Sequence, residues 1–192
     1  MVKDKDIERL FAGPLNKIAD PELRAKVVRT FVLACERGRW ASVAELERVP
    51  FTLLTDTHGI NLIAHTIAVT EGAAALGRAQ TDAYAKPPYA IDFDRLYAGG
   101  LLHDVGKLLE IEPDGQGGFR KSRAGKFARH PVSGAILAAE CGLPPDIINI
   151  IVCHAKEGEG RPQVVEAVLI HQADFATFDP LVMKQKRLLI ED

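Results

Sequence analysis

Cysteine is scarce in this chain: Cys35, Cys141 and Cys153 are the only three in 192 residues. They are scattered, odd in number and form no Cys-x-x-Cys, which argues against a disulfide framework. They read as small core residues of a protein kept in a reducing compartment, so the expected location is cytoplasmic. Long apolar runs are missing too. No stretch approaches the roughly 18 consecutive apolar residues that a membrane span requires. The amino terminus, Met-Val-Lys-Asp-Lys-Asp-Ile-Glu, has no apolar core of the kind a signal peptide carries. No membrane partner is expected. Nor is there an excess of one charge: 24 Lys and Arg stand against 26 Asp and Glu, a formal charge of −2. A duplex-wrapping protein is normally basic, so any nucleic-acid contact here should be local. Finally, no segment alternates with period two, which predicts no strands.

What is present is helical periodicity, in a length that suits one well-buried core. Asp20-Pro21 reads as a helix start, after which Leu23, Val27, Phe31 and Cys35 recur every fourth residue until Gly38. A less regular segment covers about 45–57. From Ile60 to Leu76, the residues Ile60, Ile63, Ile67 and Ala74 predict an apolar face with His65 in its middle and Gly77 at its end. A helix from about Asp94 is expected to carry Leu96, Gly99, Gly100, His103 and Lys107. Its two glycines each cost roughly 1 kcal/mol of helix propensity, which suggests that a neighbour approaches closely there. The stretch 112–129 is irregular. His130-Pro131 opens another helix ending at Gly142. Pro144-Pro145-Asp146 opens the next, with Ile147, Ile150, Ile151 and His154 on one face. The chain then runs through Gly158 to Gly160 into a helix over about 164–175. The expected fold is a single-domain all-α bundle: a helical extension over 1–50, the main domain over 51–180 and a tail over 181–192.

Polar residues interrupt this apolar pattern at telling places. His103-Asp104 follows an apolar stretch, where two such side chains are costly unless something pairs them, and a divalent cation does so best. His65, His130, His154 and Asp174 surround the pair at wide intervals. Each has an ordinary alternative when taken singly. His154 suits a hydrogen-bonded core histidine, His130 a cap residue and His65 a helix-boundary side chain, while His171 and Asp174, three apart, suit a local surface pair. Jointly they outline a metal site. Imidazole with carboxylate suits iron, manganese, cobalt, nickel or zinc better than calcium, and Asp104 is the natural bridge between two ions.

These residues also carry a family likeness. Leu102-His103-Asp104-Val105-Gly106-Lys107 resembles the HDIGK form, with Val105 for Ile, and His130-Pro131-Val132-Ser133-Gly134-Ala135 resembles an HPxxGA stretch. Over about Ile60 to Phe178 the chain resembles the HD superfamily of metal-dependent phosphohydrolases, all-helical proteins named for the dyad. The resemblance implies that His65, His103, Asp104 and Asp174 are the four ligands of the family motif. It implies that His130 and His154 are the two further histidines of subfamilies holding two metals. The implied cofactor is a pair of divalent transition ions, iron or manganese first, with zinc, nickel or cobalt compatible. The Gly-Tyr-Pro signature of cyclic-dinucleotide hydrolases is missing after His154, where the chain reads Ala155-Lys156-Glu157-Gly158. The helix beginning Asp20-Pro21-Glu22-Leu23 and the run Ile170-His171-Gln172-Ala173-Asp174 look more like HD-containing 3′–5′ exoribonucleases.

The implied activity is hydrolysis of a phosphate mono- or diester, of a nucleotide above all, by metal-bound hydroxide. Asp104 and Lys107 are the expected catalytic residues. Lys107 is expected to neutralise a phosphate oxygen, the ordinary alternative being an ion pair with Glu110. The run from Arg120 to Arg129 holds five basic residues and no acid. It suggests either a solvated loop or a phosphate-reading lid, with Arg129 as the preferred contact. His171 is expected to orient a ligand from behind, and His58 to lie at the pocket mouth. Two other enzymatic or binding roles stand beside this one: a mixed-valent di-iron oxygenase built on the same six ligands, and a non-catalytic signalling or interaction module. The expected partner is a small phosphate ester, a nucleotide or a short nucleic acid, with room for a homo-oligomer. The run Gly118 to Gly125-Lys126 lacks P-loop spacing, and Asp114-Gly115-Gln116-Gly117 lacks the terminal Glu of a calcium loop.

Overall fold

Two short helices, α1 (Asp4–Leu10) and α2 (Ala12–Leu15), lead into α3 (Pro21–Gly38) in a computed structural model that describes residues 1–158 and 161–190. The expected passage through Gly160 and the end of the tail lie outside the described residues. The Asp20 carboxylate accepts from the backbone N–H of Glu22 at 2.8 Å and of Leu23 at 3.3 Å, with Pro21 at the first helical position. The fourfold apolar recurrence is buried at Val27, Phe31 and Cys35. The irregular segment follows from the end of the single turn α4 (Val43–Leu46) and includes one isolated antiparallel bridge, from Pro50 to Asn61.

The central helix, α5 (Leu62–Ala83), starts at Asn61, whose side chain accepts from Ala64 N at 2.8 Å. Its buried face differs from the predicted one. His65, Thr66, Val69, Thr70, Ala73, Ala74 and Gly77 point inward, Ile63 and Ile67 sit at the margin, and Ile60 is exposed. Small side chains fill this face because two helices press on it, α6 (Phe93–Leu102) and α11 (Val165–Gln185). Gly77 therefore packs within the helix instead of ending it: a Cβ there would touch Ile91, Leu96 and Leu169 at 3.4–3.5 Å. The glycines of α6 do admit neighbours. A Cβ on Gly99 would lie 2.6 Å from Ile150, and one on Gly100 2.9 Å from Thr70.

The helix expected to run on through His103 and Lys107 stops at Leu102, and a turn leads to α7 (Lys107–Glu110). The irregular stretch that follows contains an unpredicted hairpin, β1 (Ile111–Pro113) and β2 (Phe119–Lys121), paired antiparallel with Glu112 opposite Arg120. Strands of three residues are too short to display alternation, so the sequence pattern misses them. Helices α8 (Arg123–Phe127), α9 (His130–Glu140) and α10 (Pro145–Cys153) come next, then a 3₁₀ turn over Lys156–Gly158. Helix α11 continues ten residues beyond Phe175 to Gln185, with Pro180 inside it. The fold is all-α apart from the hairpin. The core runs from α3 through α6 to α9 and α10, with Leu96, Leu101, Leu102, Leu137, Ile147 and Ile151 fully buried. No described helix is long and apolar enough to cross a membrane.

Candidate metal centre

Helix ends deliver the polar side chains to one point. His103 caps the C-terminus of α6, Asp104 lies in the turn after it, His130 is the first residue of α9, and His154 caps α10. His65 comes from the first turns of α5 and Asp174 from the middle of α11. The turn at the dyad is closely packed. A Cβ on Gly106 would lie 2.1 Å from the His130 carbonyl and 2.7 Å from Gly134 N, so only glycine lets α9 approach the loop.

Asp104 is the centre of the cluster and is almost wholly buried. Its Oδ2 faces His65 Nε2 at 3.3 Å and His103 Nε2 at 3.5 Å, while its Oδ1 faces His130 Nε2 at 3.3 Å and His154 Nε2 at 3.5 Å. Asp174 Oδ1 joins the first group, 3.2 Å from His65 Nε2. The other ring nitrogen of each histidine is already engaged. His103 Nδ1–H donates to Gly100 O at 2.6 Å, His154 Nδ1–H to Ile151 O at 2.7 Å, and His130 Nδ1–H to Glu110 Oε2 at 2.7 Å. Thr177 Oγ1 donates to Asp174 O at 2.8 Å and so accepts from His65 Nδ1–H at 3.3 Å. With Nδ1 protonated, a neutral imidazole turns a lone pair on Nε2 toward the carboxylate. Lone pairs facing lone pairs in a buried space are stabilised only by a cation between them.

The hydrogen-bond inventory agrees. His65 Nε2, His103 Nε2 and both Asp104 oxygens are buried without a hydrogen-bond partner, apart from the Lys107 ammonium that forms an ion pair with Oδ2 at 2.7 Å. Two groups have the donor spacing of a cation site, His65 with His103 and Asp104, and Asp104 with His130 and His154. The residues present therefore fit a pair of metal ions sharing Asp104.

The electrostatics of the cluster suit a cation site. Burial pushes the Asp104 carboxyl up, but Lys107 and then His103 outweigh it and hold it well below the usual range. Asp174 behaves likewise: burial raises it, and the His65 contact brings it down to about 2. Burial lowers His130 to about 4 despite its hydrogen bond to Glu110, so it is neutral at neutral pH, as a ligand must be. For His65 burial also lowers the value, yet its contacts with Asp104 and Asp174 raise it overall.

Lys107 Nζ lies 2.7 Å from Asp104 Oδ2, so its partner is the dyad carboxylate and not Glu110. A cleft of about 560 Å³ opens on the cluster, with His130 and Asp174 in its lining. Lys107, Lys121, Arg129 and Lys156 give it four cations, and Phe51, Leu53, Leu54, Phe175 and Phe178 an apolar surface. The basic stretch is thus divided: Lys121 and Arg129 reach the cleft, while Arg120 pairs across the hairpin with Glu112 at 2.9 Å. His171 donates from Nδ1 to the His154 carbonyl at 2.7 Å and stays outside the cluster. His58 occupies a surface turn with φ of 50°, beside Asp56 at 3.7 Å, and does not line the cleft.

Two contributors were not legible beforehand. Phe51 stacks on His65 with ring centroids 4.1 Å apart, backing the imidazole from the cleft side. Glu110 is buried and binds His130 through both its ring and its backbone N–H. Its sequence signal was weak, an acid in the last turn of a short helix.

The family profile described as HD domain matches residues 62–176. Ribonuclease Y of Pseudothermotoga lettingae is 33% identical over 118 residues, which is 62% of this chain and 18% of that protein. Ribonuclease Y of Thermotoga maritima aligns with the same identity and coverage. Ribonuclease Y of Mycoplasma capricolum is 26% identical over 114 residues, 59% of this chain and 18% of its own. The chain thus spans less than a fifth of the length of these curated relatives. No solved structure matches it.

Proposed function

The chain belongs to the HD-domain family of metal-dependent phosphohydrolases, and we propose on that basis that it hydrolyses a phosphate ester of a nucleotide or short RNA with two divalent transition ions. The observation that carries the reading is the division of Asp104: one carboxylate oxygen faces His65 and His103, the other His130 and His154. In this reading His65, His103, Asp104 and Asp174 hold one ion, and Asp104, His130 and His154 hold the other. When bound, the ion pair supplies Lewis acidity that lowers the pKa of water and balances phosphoryl charge.

The chain's own residues do the rest. Hydrolysis places the oxygen of water on phosphorus, breaks the P–O ester bond and passes a proton to the departing alkoxide. Lys107 stands on the dyad and lines the cleft, so its ammonium is placed to neutralise a phosphoryl oxygen beside Asp104. Arg129, at the edge of the cleft, supplies a planar donor fork suited to phosphate. Phe175, Phe178, Leu53 and Leu54 offer an apolar surface for a sugar or base. The relatives' name, Ribonuclease Y, supports an RNA diester as the ester. The cleft volume, about 560 Å³, favours a nucleotide or a short single strand over a folded RNA.

The test is metal content of protein purified without chelator, paired with hydrolysis of bis(p-nitrophenyl) phosphate and p-nitrophenyl phosphate under manganese and iron. Near two equivalents of metal with ester hydrolysis, both lost in Asp104→Ala, is the expected result. Two bound irons with oxygen consumption and no ester cleavage would overturn it in favour of the oxygenase chemistry.

A further inference from the structure

Glu110 joins the metal cluster to the cationic part of the cleft. Its Oε2 accepts from His130 twice, from the backbone N–H at 2.8 Å and from Nδ1–H at 2.7 Å. Its Oε1 pairs with Lys121 Nζ at 3.1 Å and Arg129 Nε at 3.0 Å. The backbone around it is anchored from the same side. Ser122 N donates to Glu110 O at 2.8 Å, and Ser122 Oγ donates to Leu109 O at 2.6 Å. Gly125 lets α8 close over the side chain, since a Cβ there would lie 2.8 Å from Glu110 Cα and Cγ. The carboxylate is thus held on every side, and burial is offset by partners whose hydrogen bonds bring it to about 2.

The other histidines of the cluster lack such a partner. His103 and His154 lean on neutral backbone carbonyls, and His65 on a hydroxyl. An anionic acceptor on Nδ1–H makes Nε2 a stronger donor to a cation and fixes the ring plane. We infer that Glu110 is a positioning residue for only one of the two metal positions, the one built from Asp104, His130 and His154, and that through Lys121 and Arg129 it ties that position to the phosphate-reading part of the cleft. This inference rests on the dinuclear reading given above.

The experiment is a titration of metal-free protein with Mn²⁺ alone, counting equivalents by calorimetry and by the loss of free-ion EPR signal. Wild type should take up two equivalents. Glu110→Gln keeps the shape of the side chain and removes its charge. It should retain one equivalent at wild-type affinity and weaken the other ~10- to 100-fold. Glu110→Asp keeps the charge but withdraws it by one methylene, and should fall between the two. Circular dichroism and thermal unfolding of each variant report whether it is folded. Two equivalents at wild-type affinity in folded Glu110→Gln, or equal weakening of both, would overturn the inference and leave the dinuclear reading intact. A single equivalent in wild type would overturn that reading, and the inference with it.

Discussion

His130 Nε2 and His154 Nε2 stand 3.2 Å apart, each ring having spent its Nδ1 proton elsewhere, on Glu110 and on the Ile151 carbonyl. Two imidazoles delivered by different helices meet nose to nose beside Asp104 Oδ1, at 3.3 and 3.5 Å. This arrangement supports the proposal that both rings hold one cation together with Asp104.

Asp104→Ala removes the only side chain shared by both groups of donors. Metal uptake should fall from two equivalents to none at micromolar metal, and hydrolysis should drop at least ~100-fold. Elemental analysis after gel filtration checks the first and a steady-state assay the second.

Lys107→Ala should separate binding from turnover. The ammonium contacts Asp104 Oδ2 but lies outside both donor groups, so two equivalents of metal should remain. The rate should fall ~100-fold, the usual loss when one charge-stabilising donor is removed. Loss of metal in step with activity would assign Lys107 to maintenance of the site instead.

Acid should destabilise the metal-free protein in a defined window. His130 titrates at about 4 in the folded chain against an ordinary 6.5. Between those values the unfolded chain binds the proton and the folded chain does not, so stability climbs with pH from 4 to 6.5. Glu110, at about 2 against 4.5, adds a further loss as pH falls below 4.5. His65 acts in the opposite sense: its raised value contributes stability that is complete below 6.5 and lost as pH rises through the folded value. Denaturant midpoints of metal-free protein should therefore rise to about pH 6.5 and decline above it. Saturating metal, which displaces the His65 proton, should remove the decline.

Gly106→Ala should be among the most destabilising alanine substitutions in the chain. The new Cβ would sit 2.1 Å from a backbone carbonyl that cannot swing aside. A cost of about 3 kcal/mol is expected from such overpacking, read by denaturant unfolding. Metal affinity should fall with it, because α9 carries His130.

Local chemistry was what the sequence by itself determined. Asp20-Pro21 begins a helix because a cap and a fixed φ act within one turn, His130-Pro131 because of the proline's fixed φ alone, and both starts stand where they were expected. The His103-Asp104 dyad was legible because polar side chains inside an apolar run are costly without a partner. Other features depend on what lies opposite in space. The buried face of α5 turned away from Ile60 because α6 and α11 press on small residues, which no period within one helix records. Residue 106, in the turn after Leu102, must be glycine because the His130 carbonyl, 24 residues away in sequence, occupies the space a side chain would need. Lys107 chose Asp104 over Glu110 because that turn brings the ammonium back to the dyad. Glu110 acquired its place only when α9 set His130 against it. Tertiary packing alone decided how the two oxygens of one carboxylate are shared among four histidines, since that division requires four helix ends to meet at a point.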